Sequence, residues 1–285
     1  MRFLAAVLFW LATTLALAVA VPVVWAQRNV VDADGYAALA QKAADDPALQ
    51  AAMAAELTSR AMTLIAERSG QRSPVDSSVV HEAAIAFTTS PSFPPLFAHV
   101  GRAAHSWLFS EPRPHNGEQW VVDLAPMLKD DSSLQQLLSS YNVKVPATLT
   151  VPLTVSAPLA EGSMRQGQLR RLAVWGPWVS VGAVAVSGVC ALATLVAARR
   201  RGKALASLGV SALLVGAAGW AGIEIAGRYV NDALNRTTGD IRRVADVMVS
   251  HAEDSMHLWL NVTLVGGVAL VVLGVSVAML GSLFT

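Results

Sequence analysis

Cysteine is almost absent. Cys190 is the single one in 285 residues, and it lies inside an apolar run, which excludes an intramolecular disulfide and a cysteine-based metal site. Charge is scarce too. Charged side chains make up 14% of the chain, against roughly 25% in an ordinary soluble domain, so part of the molecule has apolar surface that water does not wet. The net charge of +1 gives no field that would favour nucleic acid or an acidic partner. Glycine-rich phosphate loops, a nucleophile elbow and Ser–Lys arrangements are also missing. Because catalytic triads can be dispersed along a chain, the expectation of a non-enzymatic protein rests on the lack of local motifs alone.

What is abundant is apolar: 54% of the residues are hydrophobic, and much of that content is gathered in four runs. Phe3 to Ala26, Leu172 to Ala198, Ala204 to Gly227 and Leu258 to Leu283 each exceed the ~20 residues that cross a hydrocarbon core. The chain therefore divides into a first span (1–26), a polar domain (27–171), a second span (172–198), a basic turn (199–203), a third span (204–227), a connecting segment (228–257) and a fourth span with the carboxy terminus (258–285). Val24-Trp25-Ala26 before Gln27 resembles a signal-peptidase site. The run is longer than the 7–15-residue core of a signal peptide, and the expectation is an uncleaved signal-anchor.

Arg199, Arg200, Arg201 and Lys203 sit between two spans in a connection of a few residues, where the positive-inside rule acts most strongly. They are the topology determinant. With that turn in the cytoplasm, both termini are cytoplasmic, and residues 27–171 and 228–257 lie outside the plasma membrane. Trp25, Trp175, Trp178 and Trp259 then mark the outer boundary as an aromatic belt, with Trp220 slightly deeper. The arginines at 170, 171, 228, 236, 242 and 243 argue against this orientation, although a long domain translocates largely regardless of its charges.

The 27–171 segment reads as a small helix-rich α+β domain. Asp34 is placed as a helix cap, and Asp45-Asp46-Pro47 as a second start, with an acidic cap and proline at the first helical position. Leu49, Met53, Leu57, Leu64 and Ile65 form the apolar stripe of the helix that follows. Shorter helices are expected over 77–87, up to Phe109, and through Leu134, Leu137 and Leu138. Residues 119–124 and 148–155 read as strands, with Pro152 confined to an edge or bulge. Between the last two spans, Ile241, Val244, Ala245 and Met248 recur on one face. They predict an extended helical hairpin that projects about three turns and presents a candidate interaction face, for the 27–171 domain or for another protein. Small residues four apart, at 183, 187 and 191 and at 218, 222 and 226, predict close packing of the second and third spans as an antiparallel hairpin.

Val31-Asp32-Ala33-Asp34-Gly35-Tyr36, Asp46-Pro47-Ala48-Leu49-Gln50, Val122-Asp123-Leu124-Ala125-Pro126 and the basic turn between two spans together resemble a broad group of actinobacterial integral membrane proteins. The preference for arginine over lysine, with much Ala, Val, Leu and Gly, agrees with a GC-rich bacterial genome. The resemblance implies an amino-terminal span, an extracytoplasmic helical domain and carboxy-terminal spans, and it implies no catalytic residue.

The candidate chemistry is thin. His81-Glu82 lacks the second histidine of a helical zinc-protease motif. His99 and His105, six apart, fall on different helix faces, so with His115 they read as surface or boundary histidines. The pairs Asp45-Asp46 and Asp130-Asp131 read as helix caps or turn residues before acid–base groups. Glu224 is the only acidic side chain inside an expected span, and an intramembrane carboxylate is by default a functional hypothesis. Arg228, four residues on, is spaced to pair with it. These readings converge on a mainly α, four-span membrane protein without cofactor, metal or nucleic-acid partner. It would act as a scaffold or accessory subunit of an envelope complex, with the bilayer and an envelope protein or a second copy as partners. The alternative is a transporter, or a transport-accessory subunit, that uses Glu224.

Overall fold

Long apolar runs become long helices, and four of them dominate the chain, the first with Pro22 and the second with Pro177 inside it. The computed structural model describes residues 2–69, 76–109, 120–123, 150–153, 167, 169–198, 200–235 and 239–283. In order these form α1 (Arg2–Ala26) with a π-helical turn (Gln27–Val31), α2 (Ala33–Ala44), α3 (Pro47–Ser69), α4 (Ser77–Thr88), α5 (Phe93–Phe109), β1 (Trp120–Asp123), β2 (Thr150–Leu153), α6 (Arg170–Ala197), α7 (Arg201–Leu234) and α8 (Asp240–Leu283). The helices α1, α6, α7 and α8 are long and apolar enough to cross a membrane. The protein is a mainly α, multi-pass membrane protein.

The strands pair antiparallel with Val121 opposite Pro152. In a two-stranded ribbon both strands are edges, so a proline without an N–H is tolerated. Among the described residues the 27–171 segment is mainly helical, with this one short ribbon, and the expected α+β character gains no further support. The helix expected near Leu134, and Asp130, Asp131, His115 and Arg199, lie outside the described residues.

The chain forms two compact units. The membrane unit comprises 1–32, 171–229 and 253–285, and the helical unit 33–170 and 230–252. In the membrane unit, α7 and α8 run antiparallel, joined along a glycine seam. A Cβ on Gly202 would lie 2.6 Å from the Ala278 nitrogen and 2.7 Å from the Gly274 oxygen. One on Gly209 would lie 2.6 Å from the Gly267 oxygen, and one on Gly216 would lie 2.6 Å from Leu264. Gly274 is pressed in turn against the Ala206 backbone. Glycine recurs every seven residues on both strands of this seam, at 202, 209 and 216 and at 267 and 274. A 3.5-residue period keeps such positions facing a partner helix at a shallow left-handed crossing, and missing side chains let the backbones meet.

The other packed side of α7 meets α1 through hydrogen bonds. Trp10 Nε1 donates to the Ser207 carbonyl at 2.8 Å, and Thr14 Oγ1 donates to Ser211 Oγ at 2.8 Å. Ser211 in turn donates to the Ser207 carbonyl at 3.3 Å. These contacts run in the same chain direction, so α1 is parallel to α7. On α6 the buried side carries Ser180, Ser187 and Thr194, again seven apart. Each hydroxyl donates to a carbonyl three or four residues back on its own helix, which satisfies it without a second helix. The small residues at 218, 222 and 226, expected to pack, are exposed instead.

In the helical unit, alanine makes the close contacts. Ala37, Ala40, Ala43 and Ala44 of α2 are buried, with Gly101 of α5 against Tyr36 and Ala40. Asp46 accepts from the Ala48 N–H at 2.8 Å and so caps α3 ahead of Pro47. Asp34, expected as a cap, sits inside the first turn of α2 and pairs with Arg102 of α5 at 3.0 Å. At the far end of α5, Gly167 in the left-handed region donates its N–H to the Trp107 carbonyl. Leu169 does the same to Leu108, so carbonyls left open by the end of a helix are satisfied.

Asp76 caps α4, its carboxylate accepting from the Ser78 N–H at 2.9 Å. That backbone bond, with a second from the Ser78 side chain, holds its carboxyl below the usual aspartate range. A depressed folded-state pKa contributes stability above the unfolded value and loses it as pH falls through the folded value. The first turn of α4 is therefore expected to fray only below about pH 4. Hydrogen exchange over 77–80 should show that acid fraying in the native protein and much less pH dependence after Asp76→Asn, which keeps a capping oxygen. The same acid fraying in the asparagine variant would mean that another group drives it.

Candidate functional site

Two places gather the residues that the sequence singles out, one in each unit. In the membrane unit, polar and aromatic side chains form a belt. Trp25 Nε1 donates to Ser255 Oγ at 3.2 Å. The Arg28 guanidinium stands 5.6 Å from the centre of the Trp259 ring, within range of a cation–π attraction. Trp220 stacks on His257 with ring centres 3.9 Å apart and planes 14° apart. Gln27 Oε1 rests on Gly176 of α6, and a side chain at 176 would make the Gln27 carboxamide move aside. Among the described residues, Gln27 Oε1 and His257 Nε2 are both buried without a hydrogen-bond partner, and each such atom costs roughly 1–3 kcal/mol. The belt is thus built from indoles, one imidazole and one guanidinium, the amphipathic groups that favour the level where hydrocarbon meets water.

Glu224 lies one turn beyond Trp220 on α7 and faces outward, as does Arg228. The expected ion pair is not formed: no contact within ion-pair distance joins the two among the described residues. Glu253 instead comes against Gly227, 3.0 Å from where a Cβ would stand. The basic residues also shift in role. Arg201 and Lys203 already belong to the first turn of α7, with Gly202 between them on the seam, and the connection proper is reduced to residues 198–200.

In the helical unit the face at 241–248 is largely occupied from within. Val244, Val247 and Met248 pack against a core of Ala43, Ala44, Leu49 and Phe93. Ala245 is half-buried and Ile241 is exposed. Phe93 meets Phe87 edge-on at 5.7 Å and Phe97 at the same distance in a tilted pair. Three residues further along α8, His251 Nε2 lies 3.2 Å from Asp46 Oδ2, while Asp46 Oδ1 continues to cap α3. One aspartate thereby ties the α2–α3 corner to α8. Val247 escaped the sequence reading, although it lies three residues from Val244; His251, towards which the predicted stripe continues, lies three residues from Met248.

No family model, curated protein or solved structure matches the chain. The actinobacterial resemblance thus gains no support from comparison, and the site has to be read from its own chemistry. Among the described residues no three His, Cys, Asp or Glu side chains come together as a metal site. His81 is exposed and shares a 3.1 Å hydrogen bond with Thr58, and His99 is exposed. His105 corrects the expectation of a surface or boundary histidine. It is buried, stacked on Phe109 at 4.1 Å and near Tyr36 at 5.2 Å. The same burial pushes the Tyr36 phenol above its ordinary pKa, so this aromatic group stays neutral at physiological pH and serves as packing.

Proposed function

We propose that this protein is a non-enzymatic scaffold or accessory subunit of a bacterial envelope complex. Its helical unit lies outside the plasma membrane and both of its termini are cytoplasmic. The observation that carries the reading is the continuity of α8. Its 44 residues extend about 66 Å as a helix, twice what a hydrocarbon core of roughly 30 Å requires. The surplus is not a loose stalk, because Val244, Val247, Met248 and His251 belong to the core and corner of the helical unit. A head whose core is completed by residues of α8 suits a part that presents a surface to another component. The orientation rests on Arg200, Arg201 and Lys203 beside the α6–α7 connection, and assignment to an actinobacterial envelope rests on the sequence resemblance.

One experiment separates orientation from partnership. A cysteine at Glu82, exposed on α4 beside the exposed Val79 and Ile85, is introduced with Cys190→Ala. Intact cells are then treated with a membrane-impermeant, thiol-reactive crosslinker. The expected result is labelling from outside and a discrete adduct with one envelope protein. No labelling, with labelling restored in broken cells, overturns the orientation. Labelling without any adduct overturns the scaffold.

A further inference from the structure

Glu224 and Arg228 end a longer line on α7. Val210, Leu214, Ala217, Ala221, Glu224 and Arg228 follow one another at intervals of four, three, four, three and four residues, and all six are exposed. That alternation is a heptad seam, which stays in line along a helix and faces a partner. The other sides of α7 are already taken. Gly202, Gly209 and Gly216 meet α8, and Ser207 and Ser211 meet α1. This third side carries two opposite charges, one turn apart, that do not pair with each other.

We infer that this seam joins two copies of the chain, α7 against α7, about a two-fold axis along the membrane normal, with Glu224 of each copy bound to Arg228 of the other. Copies inserted by the same signals share one orientation, so the two helices are parallel and the contact is isologous. Ala217 and Ala221 stand at its centre, where small side chains allow close approach in lipid, and Val210 and Leu214 pack below them. Arg228 is displaced from Glu224 by about 6 Å along the axis, a rise that two long side chains span across a close helix crossing. Charge selects the occupant. Each copy supplies one acid and one base on the same stripe, so a two-fold pair matches both charges with the chain's own side chains. This inference is independent of the scaffold reading, which concerns the other unit.

The test uses the full-length protein in its native membrane with Cys190→Ala. Ala221→Cys is expected to give a crosslinked dimer with a short bis-maleimide, and Val189→Cys, exposed on α6, is expected to give none. Glu224→Arg makes an all-basic seam and Arg228→Glu an all-acidic one. Each alone should reduce self-crosslinking at position 221 by about threefold to tenfold, the range of single polar contacts between membrane helices. Co-expressed with different tags, the two variants should crosslink to one another at the unmodified level. That result shows both to be folded and distinguishes pairing between copies from pairing within one. Equal crosslinking from α6 and α7, single variants without effect, or a mixture no better than either alone would each overturn the inference and leave the stripe facing lipid.

Discussion

Gly274→Leu is expected to destroy the packing of the fourth span on the third. Detergent-purified protein carrying it should lose its monodisperse elution peak at a temperature roughly 6–12 °C below that of the unmodified chain. Gly209→Leu should do the same. Overfilling a packed core ordinarily costs about 1–3 kcal/mol, and these sites belong at or above the upper end. The neighbour at each is backbone, the Ala206 nitrogen or the Gly267 oxygen, which cannot rotate aside as a side chain can. The comparison that makes the result specific is Gly266, one residue from the seam, with nothing within 4 Å of its added Cβ. Gly266→Ala should be neutral or slightly stabilising, because alanine favours a helix over glycine by about 1 kcal/mol. Similar losses from Gly266→Ala and Gly274→Leu would show that helix composition, and not the seam, governs stability.

Phe93→Ala is expected to loosen α8 at a distance in sequence. Phe93 is 2% exposed, and removing a buried phenylalanine costs about 3–5 kcal/mol. Its cluster receives Val244, Val247 and Met248, so hydrogen exchange over 240–252 should rise together with that of α2 and α5. The stretch 260–275, which belongs to the membrane unit, should stay protected. Faster exchange in α2 and α5 with 240–252 unchanged would mean that α8 stands without the core, and the part that 240–252 plays in the head of the proposed function would lose its basis.

The spans were legible because length and apolarity are sufficient for them, with no knowledge of neighbours. Their outer ends were legible as well: Asp240 after Thr238-Gly239 reads as a helix start and 228–234 as an outward extension of the third span, and α7 does run to Leu234 and α8 does begin at Asp240. Only the length fell short, since α8 starts roughly five turns before Leu258 rather than three. The glycine seam had a signal that was read at the wrong period. Intervals of four were sought, as suits a right-handed crossing, whereas the glycines of α7 and α8 recur at seven. Asp34 shows a different limit, since its partner Arg102 lies on another helix and capping statistics see only the local chain. His105 likewise depends on Tyr36 across a helix interface. The unformed Glu224–Arg228 pair has the same lesson: the interval of four residues permits an ion pair and does not compel one.

The residues that complete the core of the helical unit also impose an order of assembly. Phe93 leaves the ribosome some 150 residues before Val244, an interval of roughly 10–30 s at ordinary rates of synthesis. During that time Leu49 and Phe93 lack the cover of Val244, Val247 and Met248. A chain cut short before α8 would therefore forfeit a membrane span and leave an exposed apolar cluster in the domain made first, a ready substrate for quality-control proteases. α8 thus completes the packing of helices made long before it.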